Sequence, residues 1–303
     1  MELRQLEIFR ALSEELNFTR TAERVHCVQS NVTTQIRSLE AELGVPLFER
    51  LGKQVRLTEH GRRLVPYAER ILHLRDEARL TVTAGDEPTG VLTVGTSESV
   101  LTYRLPPVLR AFRKRFPLVE LRFLPLSAPQ LWQQLQNGGL DLVFLIDDAV
   151  SNPRLCSETL CPEPLTFLVQ PSHPLATRGR VSPKDLLRET LLLTEPGCTY
   201  RRKLERILIK SEVAPQAIIE FASVEAIKQC AALGMGLAFL PEVTAAAEVA
   251  DRKLAALTWT GPDFGMSTQV AWHKDKWVSP TLRAFLELAR ARLTPSARVR
   301  RHG

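Results

Sequence analysis

The chain has 303 residues, of which 44% are hydrophobic and 24% charged, with a formal net charge of +6. This composition is typical of a folded globular protein and excludes a disordered chain, and the length allows two or three compact units. There is no run of about 18 apolar residues that could span a membrane. The N-terminal stretch MELRQLEIFRALSEELNF lacks the apolar core of a secretory signal, so we expect a cytoplasmic protein.

The reactive residue types do not cluster in the sequence. Five cysteines and six histidines are scattered, without disulfide-framework or zinc-ligand spacing, so no structural metal or cofactor is expected. There is no G-x-S-x-G motif and no phosphate-binding glycine loop. His60, His173 and His273 fall in predicted loops or termini, where solvated histidine is common. The sequence therefore gives no support for an enzyme.

Residues 1–58 are predicted to form three short helices and a hairpin. Leu3, Leu6, Phe9, Leu12 and Leu16 recur every three or four residues, which predicts the first helix. Asn17 or Thr19 can cap a second helix. A third helix is predicted from about Gln29 to Leu43, ending at Gly44. The alternation in LFERLGKQVRLTEHG indicates a small β-hairpin.

Residues 59–84 are predicted to form one long helix, with Pro66 as a candidate kink near its start. Its apolar stripe has no obvious partner among the neighbouring segments, so we interpret it as a dimer seam. The stripe comprises Leu64, Tyr67, Ala68, Ile71, Leu74, Ala78 and Leu80. GDEPTG (85–90) is the predicted linker.

From Val91 onward, strand-like and helical segments alternate. VLTVGTS, VELRFLPL and LDLVFLI are predicted as buried strands separated by helices, and LTFLVQ, TLLLTEP, AIIEFA, GLAFLP and STQVAWHK continue the pattern. Alternation of strands and helices predicts mostly parallel sheets, and about 200 residues of it suggest two subdomains.

The third helix has a polar outer face suited to the DNA major groove. Val32, Ile36, Leu39 and Leu43 form one apolar side, and Ser30, Thr34 and Arg37, flanked by Thr33 and Ser38, lie opposite. Hydroxyl, amide and guanidinium groups on a helix that follows a short turn can bond base edges and phosphates. The alternative is a simple solvated face. Residues 1–58 hold eight basic and eight acidic side chains, so net charge does not decide between them.

The hairpin favours the DNA-binding interpretation. Arg50, Lys53 and Arg56 form a basic run without an intervening acid, at the position where a wing would contact the DNA backbone. The predicted DNA-contacting residues are Gln29, Ser30, Asn31, Thr33, Thr34, Arg37, Arg50, Lys53 and Arg56.

The stretch from LRQLEIFRALSEELNF to RLTEHG resembles, position for position, the winged helix-turn-helix of LysR-type transcriptional regulators. GVLTVGTSES, NGGLDLVFL, PSHPLA, SVEAIKQCAALGMGLAFLP and SPTLRAFLELAR resemble the same family's effector domain. The resemblance implies a dimeric linker helix, a periplasmic-binding-protein-like effector domain, tetramers and promoter DNA. The sequence departs from the family at Val28, where most members have a Ser or Thr cap, and at Thr34, where many have Arg.

In a two-subdomain α/β fold, ligands bind beyond the carboxyl ends of the parallel strands. The polar groups predicted there are Thr96, Ser97, Glu98, Ser99, Ser127, Cys198, Thr199, Tyr200, Arg201, Ser223 and Val224. They suit a small polar effector, often a carboxylate, although some of these residues can serve only as helix caps. Glu98 adds a negative charge that Arg201 could neutralise, or Arg201 could bind the effector directly.

Cys198 stands at a predicted helix start beside Arg201 and Arg202, which could lower its pKa and make it reactive. The resemblance adds that some family members sense peroxide through a thiol in a comparable region. However, no second cysteine follows closely. Cys156 and Cys161 are expected to flank an interdomain strand. Ordinary packing is the favoured interpretation for all five cysteines, with Cys27 as a small apolar filler.

The predicted fold is an N-terminal all-α winged helix-turn-helix (1–58), a linker helix and hinge (59–90), and a C-terminal α/β effector domain of two subdomains (91–295). The subdomains are about 91–161 with 268–295, and 162–267, followed by a basic tail (296–303). The predicted function is an effector-controlled, sequence-specific DNA-binding transcriptional regulator. Its expected partners are promoter DNA, a small polar effector, further copies of itself and, for an activator, RNA polymerase. A free solute-binding protein is the rival, but it predicts a signal peptide and no helix-turn-helix.

Overall fold

A computed structural model describes residues 1–51, 54–83, 87–148 and 152–294. Contacts between residues divide the chain into an N-terminal unit that ends near residue 86 and a C-terminal unit that begins at Glu87. Within the described residues, no helix combines the length and the apolar character needed to cross a membrane.

The N-terminal unit is built from three short helices, a hairpin and one long helix. In chain order these are α1 (Leu3–Glu15), α2 (Phe18–Arg24), α3 (Gln29–Leu43), β1 (Phe48–Leu51), β2 (Gln54–Leu57) and α4 (Glu59–Thr83). Asn17 caps α2 by accepting hydrogen bonds from the backbone amides of Thr19 and Arg20. Gly44 ends α3 in the left-handed conformation that glycine adopts without strain. The predicted helices and hairpin are therefore present.

The core of this unit corrects the interpretation of the long helix. Ala68 and Leu72 of α4 are fully buried, in one cluster with Phe9 and Leu12 of α1. The expectation that α4 has nothing in the neighbouring sequence to pack on was wrong, because part of its apolar stripe packs on the core that includes α1. Tyr67 remains 65% exposed and Leu74 53% exposed.

The C-terminal unit alternates strands and helices, as predicted. Its elements are β3 (Val91–Thr96), α5 (Glu98–Tyr103), α6 (Pro106–Arg115), β4 (Glu120–Pro125), α7 (Ala128–Gln136), β5 (Leu142–Asp147), β6 (Leu155–Pro162), β7 (Leu165–Val169), α8 (Pro174–Arg178), β8 (Arg180–Val181), β9 (Thr190–Leu193), α9 (Thr199–Lys210), β10 (Ala217–Glu220), α10 (Val224–Ala232), β11 (Leu237–Pro241), α11 (Ala246–Ala250), β12 (Ala255–Trp259), β13 (Ser267–His273) and α12 (Pro280–Leu293). Short 3₁₀ turns cover Pro183–Arg188 and Glu242–Ala245.

These strands form two sheets. The first sheet has the order β4-β3-β5-β13-β6, and the second has the order β10-β9-β11-β7-β12-β8. The expectation of mostly parallel sheets agrees with the structure. In each sheet one strand runs against all the others, β13 in the first sheet and β7 in the second, and each of these two strands enters from the other sheet.

The antiparallel pairs arise because the chain crosses between the sheets twice. It leaves the first sheet after β6, and it returns between β12 and β13. The first subdomain therefore has its sheet in residues 91–162 and 267–273, and the second subdomain in residues 165–259. Phe112, Phe144 and Phe285 pack ring against ring beside the first sheet, and Phe167 and Phe239 do so in the second.

One sequence expectation about the cysteines is corrected. The expected interdomain strand is present as β6, but Cys156 and Cys161 lie within it, near its two ends, and pair with β13 instead of flanking it. The mixed polar and apolar letters of LCSETLCP do not mark where this strand ends. All five cysteines are free thiols.

Candidate functional site

The outer face of α3 is accessible along its length. Gln29, Ser30, Thr34 and Arg37 are exposed, and Asn31 and Thr33 are half-buried. Val32, Ile36 and Leu39 are buried on the opposite side, as predicted, but Leu43 at the helix end is 40% exposed. The helix therefore presents six polar side chains with one positive charge.

Two hydroxyls on this face already have a hydrogen-bond acceptor. Thr33 Oγ1 donates to the carbonyl of Gln29 at 3.1 Å, and Thr34 Oγ1 donates to the carbonyl of Ser30 at 2.9 Å. Their oxygen lone pairs and methyl groups are left to face outward. These threonines can thus accept hydrogen bonds from base amino groups, or contact a thymine methyl, without breaking an internal bond.

The start of α3 lacks a side-chain cap. Val28 occupies the cap position with a side chain 67% exposed and no capping hydrogen bond. Its carbonyl accepts from the amide of Asn31 at 3.0 Å. An uncapped helix N-terminus attracts an anion such as a phosphate.

Side chains that the sequence analysis missed fix the position of α3. Glu40 Oε1 accepts from the backbone amides of Leu47 and Phe48 at 2.8 and 3.1 Å, which ties α3 to the start of the hairpin. Gln5 of α1, 6% exposed, donates to Ser38 Oγ at 3.1 Å. The sequence offers one sign of these bonds: Gln5 and Glu40 are polar residues next to the apolar positions that face the core.

The hairpin is described in part. In β2, Arg56 is exposed, and Glu49 lies opposite it in the register, which reduces the positive charge on that side. The backbone of Arg50 pairs with Val55, but its side chain is outside the described residues, and Lys53 lies outside them altogether.

Much of the acidic charge in this unit is engaged elsewhere. Glu14 and Glu15 pair with Arg24, and Glu7 pairs with both Arg4 and Arg75. In contrast, Arg37 makes no ion pair within the part of the chain that is described. A neutral domain can thus still present unpaired positive charge on one face.

The C-terminal unit has its own candidate site, where groups from both subdomains meet beyond the strand ends. The Thr199 hydroxyl donates to the carbonyl of Ile146, at the end of β5. The Tyr200 hydroxyl contacts Ser99, and burial raises its pKa well above the usual range. Gly197 lies beside Ser127, and a Cβ added at Gly197 would make an ordinary contact with that side chain at 3.4 Å. We call this region the cleft.

Glu98 bridges the same cleft. Its Oε2 accepts from the backbone amide of Val224 at 3.1 Å, and its Oε1 accepts from that amide and from Ser223 Oγ, both at 3.3 Å. The first turn of α5 is therefore bonded to the first turn of α10. Thr96 and Ser99 beside it are buried.

Ser97 is distinctive among the cleft hydroxyls. Its Oγ is buried and has no hydrogen-bond partner among the described residues. Buried polar groups are nearly always bonded, so an unsatisfied hydroxyl in a cleft marks a place where a ligand group or water can bind.

Arg201 has a different role from the one expected. It neither neutralises Glu98 nor remains open to an effector, because its guanidinium donates to Glu205, Glu220 and the carbonyl of Thr194. The side chain is 6% exposed and fastens α9 to the ends of β9 and β10.

Cys198 is also corrected. Burial raises the pKa of its thiol, which is the opposite of the lowering expected from neighbouring arginines. The arginines do not act as expected because Arg201 points to its own acidic partners. The environment favours an inert thiol.

Two further contacts of α5 were not predicted. The Lys228 ammonium of α10 lies 5.3 Å from the centre of the Tyr103 ring. Arg104, just after α5, makes a two-point ion pair with the buried Glu163, at 3.0 and 2.7 Å. No sequence pattern predicts either contact, because each one joins segments that are far apart in the chain.

A separate cavity of about 670 Å³ shares no residue with the cleft; its lining includes Glu163, Trp259, Asp263 and Phe264. The described residues contain no group of three or more side chains arranged to hold a metal ion.

Comparison with known families gives matches over both units. Residues 3–62 match the bacterial regulatory helix-turn-helix proteins of the lysR family, and residues 85–294 match the LysR substrate-binding domain. The chain belongs to the LysR family. This LysR-type chain combines a helix-turn-helix domain with a substrate-binding domain, which confirms the family and fold predicted from the sequence.

The relatives with the most similar sequences and structures include transcriptional regulators that match nearly the whole chain. The chain is 44% identical to YwqM of Bacillus subtilis (strain 168), an uncharacterized HTH-type transcriptional regulator, over 96% of this chain and 99% of that protein. It is 30% identical to GltR, an HTH-type transcriptional regulator of the same organism, over 94% and 95% of the two chains. A full-length OxyR variant from Pseudomonas aeruginosa superposes with a TM-score of 0.72 at 26% identity, covering 97% of this chain and 94% of that one. Because the relatives are transcriptional regulators, the prediction of a LysR-type regulator rather than an enzyme is confirmed.

Proposed function

We propose that this LysR-type regulator recognises promoter DNA through the outer face of α3 and the basic hairpin, and that a small polar effector bound in the cleft changes its DNA affinity or DNA bending. The two parts of the proposal depend on separate sites and are tested separately.

The observation that supports the DNA-reading part is the exposure of the α3 polar face on a helix held in place by Glu40 and Gln5. A reading helix must present its side chains in a fixed orientation, because base discrimination depends on precise hydrogen-bond geometry. In this proposal Gln29, Ser30, Asn31, Thr33, Thr34 and Arg37 contact the major groove. Arg50, Lys53 and Arg56 contact phosphates.

The test compares binding to a promoter site and to unrelated DNA at several salt concentrations. Gln29→Ala or Ser30→Ala should lose about 1–3 kcal/mol of discrimination at one base position and keep the salt slope. Arg56→Ala should weaken binding to all sequences and reduce the salt slope by about 1. Full promoter discrimination by the Gln29→Ala protein in a footprinting assay would contradict the assignment.

For the effector part, the supporting observation is the meeting of hydroxyls and helix-start amides in one cleft that includes the unbonded Ser97 hydroxyl. The proposed effector-contacting groups are Thr96, Ser97, Glu98, Ser99, Ser127, Thr199, Ser223 and Val224, with Cys198 and Tyr200 behind them. Arg201 is left out because its guanidinium has other partners. Donors of this kind suit a small molecule that carries a carboxylate.

Thr96→Ala combined with Ser223→Ala should abolish the effector response and leave DNA affinity unchanged. Promoter binding by the purified variant, with and without the inducing metabolite found in a reporter screen, measures both properties. Loss of DNA binding as well would indicate misfolding, and an unchanged response would contradict the cleft assignment.

The proposed assembly is a homodimer through α4 that pairs further into a tetramer, working in the cytoplasm where promoter DNA and RNA polymerase are available. The support in this chain is the exposure of Tyr67 and Leu74 on α4.

A further inference from the structure

We propose that Glu98 is a built-in ligand of the cleft, and that a carboxylate on the effector acts by replacing it at the start of α10. This inference rests on the proposed function, because it states how the cleft would respond to its effector. It assigns the effector a carboxylate, and it assigns Glu98 the role of a tethered competitor.

The start of α10 is already occupied by the Glu98 carboxylate. A carboxylate from the first subdomain is bonded to the amide of Val224 and to the hydroxyl of Ser223, at distances of 3.1–3.3 Å. These donors stand at the N-terminus of a nine-residue helix, where the helix dipole favours a negative charge. The cleft thus already binds the chemical group expected of its effector.

The amide that Glu98 binds belongs to a buried residue, Val224. Val224 is only 2% exposed, and the Glu98 carboxylate is the acceptor that its amide has in the structure. Buried amides are nearly always bonded in folded proteins. If Glu98 leaves, another acceptor must take its place. A carboxylate on a small molecule can make the same bonds without being attached to α5.

The two ends of α5 contact α10 through different kinds of interaction. Besides the Glu98 bond at its first turn, α5 contacts α10 through Tyr103 at its other end, where the ring lies over Lys228. Lys228 is held by Glu225 and Glu248 at 2.8 and 2.6 Å, and these carboxylates raise its pKa, so the ammonium over the ring stays charged at neutral pH. The Glu98 end is therefore the exchangeable end. A free carboxylate would release it and allow the two subdomains to move relative to each other.

Tethering makes Glu98 a strong competitor. A group on the same chain acts at a high effective concentration, so a free anion must overcome it before binding. Removing the Glu98 carboxylate should therefore raise the affinity of the cleft for simple carboxylates.

The test measures hydrogen–deuterium exchange of the first-turn amides of α10 in the full-length protein, by mass spectrometry. Glu98→Ala should speed exchange in this turn at least tenfold. Acetate, compared with chloride at equal ionic strength, should then slow it. In the unsubstituted protein the same effect should require at least tenfold more acetate.

Glu120→Gln is the matched control. It also removes a carboxylate charge from the first subdomain, but Glu120 bonds Arg122 on its own strand rather than a group of α10. Its exchange and acetate response should equal those of the unsubstituted protein. Tryptophan fluorescence checks folding. If Glu98→Ala does not fold, Glu98→Gln, which keeps the length and removes the charge, should show a smaller change in the same direction.

Unchanged exchange in a folded Glu98→Ala protein, or equal acetate responses with and without Glu98, would overturn the inference. Neither readout needs DNA or the natural effector. If Glu98→Ala behaves as described while the Thr96→Ala/Ser223→Ala protein still responds to the effector, the proposed effector site fails and the Glu98 contact stands.

Discussion

Asp185 is the residue with the most strongly lowered pKa that has a clear structural cause. Its carboxylate accepts from Arg178 at 2.8 Å and from the amide and hydroxyl of Ser182 at 2.8 and 2.6 Å, and these bonds lower its pKa to about 2. A carboxyl whose pKa falls on folding stabilises the native state above its unfolded-state pKa. That contribution is lost as the pH falls through the folded value.

Asp185→Asn should therefore destabilise the C-terminal unit by about 2 kcal/mol at pH 7. The difference from the unsubstituted protein should shrink between about pH 4 and pH 2. All four tryptophans lie at or after residue 132, so urea unfolding followed by tryptophan fluorescence reports on this unit. A difference that is constant from pH 7 to pH 2 would show that the asparagine acts through packing and not through charge.

Glu69 shows the opposite shift. Burial, and to a lesser degree the nearby Glu14, raise its pKa, against the smaller effect of Arg10. Its ionised form therefore opposes folding at neutral pH. Glu69→Gln should stabilise the N-terminal unit by about 0.5 kcal/mol at pH 7, within the range of surface substitutions. The gain should vanish as the pH falls below the raised pKa toward the ordinary value. Thermal unfolding followed by circular dichroism measures it, and a loss of stability at pH 7 would contradict the explanation.

At the scale of elements, the bond between α3 and the hairpin is the feature most directly tied to DNA reading. Glu40→Ala removes the acceptor of two backbone amides and should cost the N-terminal unit about 1–3 kcal/mol. Promoter and unrelated DNA should both bind more weakly, because the hairpin is no longer fixed against the reading helix.

Exchange of the Leu47 and Phe48 amides should become faster in Glu40→Ala. The control is Glu42→Ala, which removes an exposed acid of α3 that pairs with the N-terminal amine instead. Equal exchange in the two variants would mean that Glu40 does not hold the hairpin.

Elements with a regular period were predictable, and contacts between distant segments were not. Val32, Ile36 and Leu39 mark the inner face of α3 because their spacing follows the helix repeat. The interdomain strand β6 was expected between Cys156 and Cys161, but its ends were misplaced because its alternation is irregular. Arg201 was misassigned because its partners, including Glu220, come together only in the folded sheet. The sequence predicted that Glu98, Ser223 and Val224 lie in the same cleft, because the carboxyl ends of parallel strands meet. It did not predict the hydrogen bonds between them.

At the scale of the whole molecule, α4 explains why one apolar stripe was misread. Leu64, Tyr67, Ile71, Leu74 and Ala78 follow the alternating three- and four-residue spacing of a coiled-coil seam. Ala68 and Leu72, shifted by one position, are buried in the core that includes α1, and Leu64 and Ile71 pack against the same core. The stripe therefore covers the core with one edge and faces outward with the other. The structure leaves Tyr67 and Leu74 exposed, so the seam can still join a second copy.

Leu74→Lys should therefore weaken self-association of the regulator, because it places a charge in the centre of the proposed seam. Fully burying a leucine is worth about 1.5–3 kcal/mol, and the seam is symmetric, so two copies of the substitution would meet. The dimer dissociation constant should rise at least a hundredfold, as measured by sedimentation velocity across a dilution series.

Leu187→Lys is the matched control, since Leu187 is 52% exposed, almost the same as Leu74, but lies in a 3₁₀ turn of the C-terminal unit. If both variants assemble like the unsubstituted protein, α4 does not form the dimer, and if both dissociate, the effect does not belong to the seam. DNA binding should fall with dimerisation only for Leu74→Lys, because a monomer contacts one half-site and loses the gain that comes from engaging two.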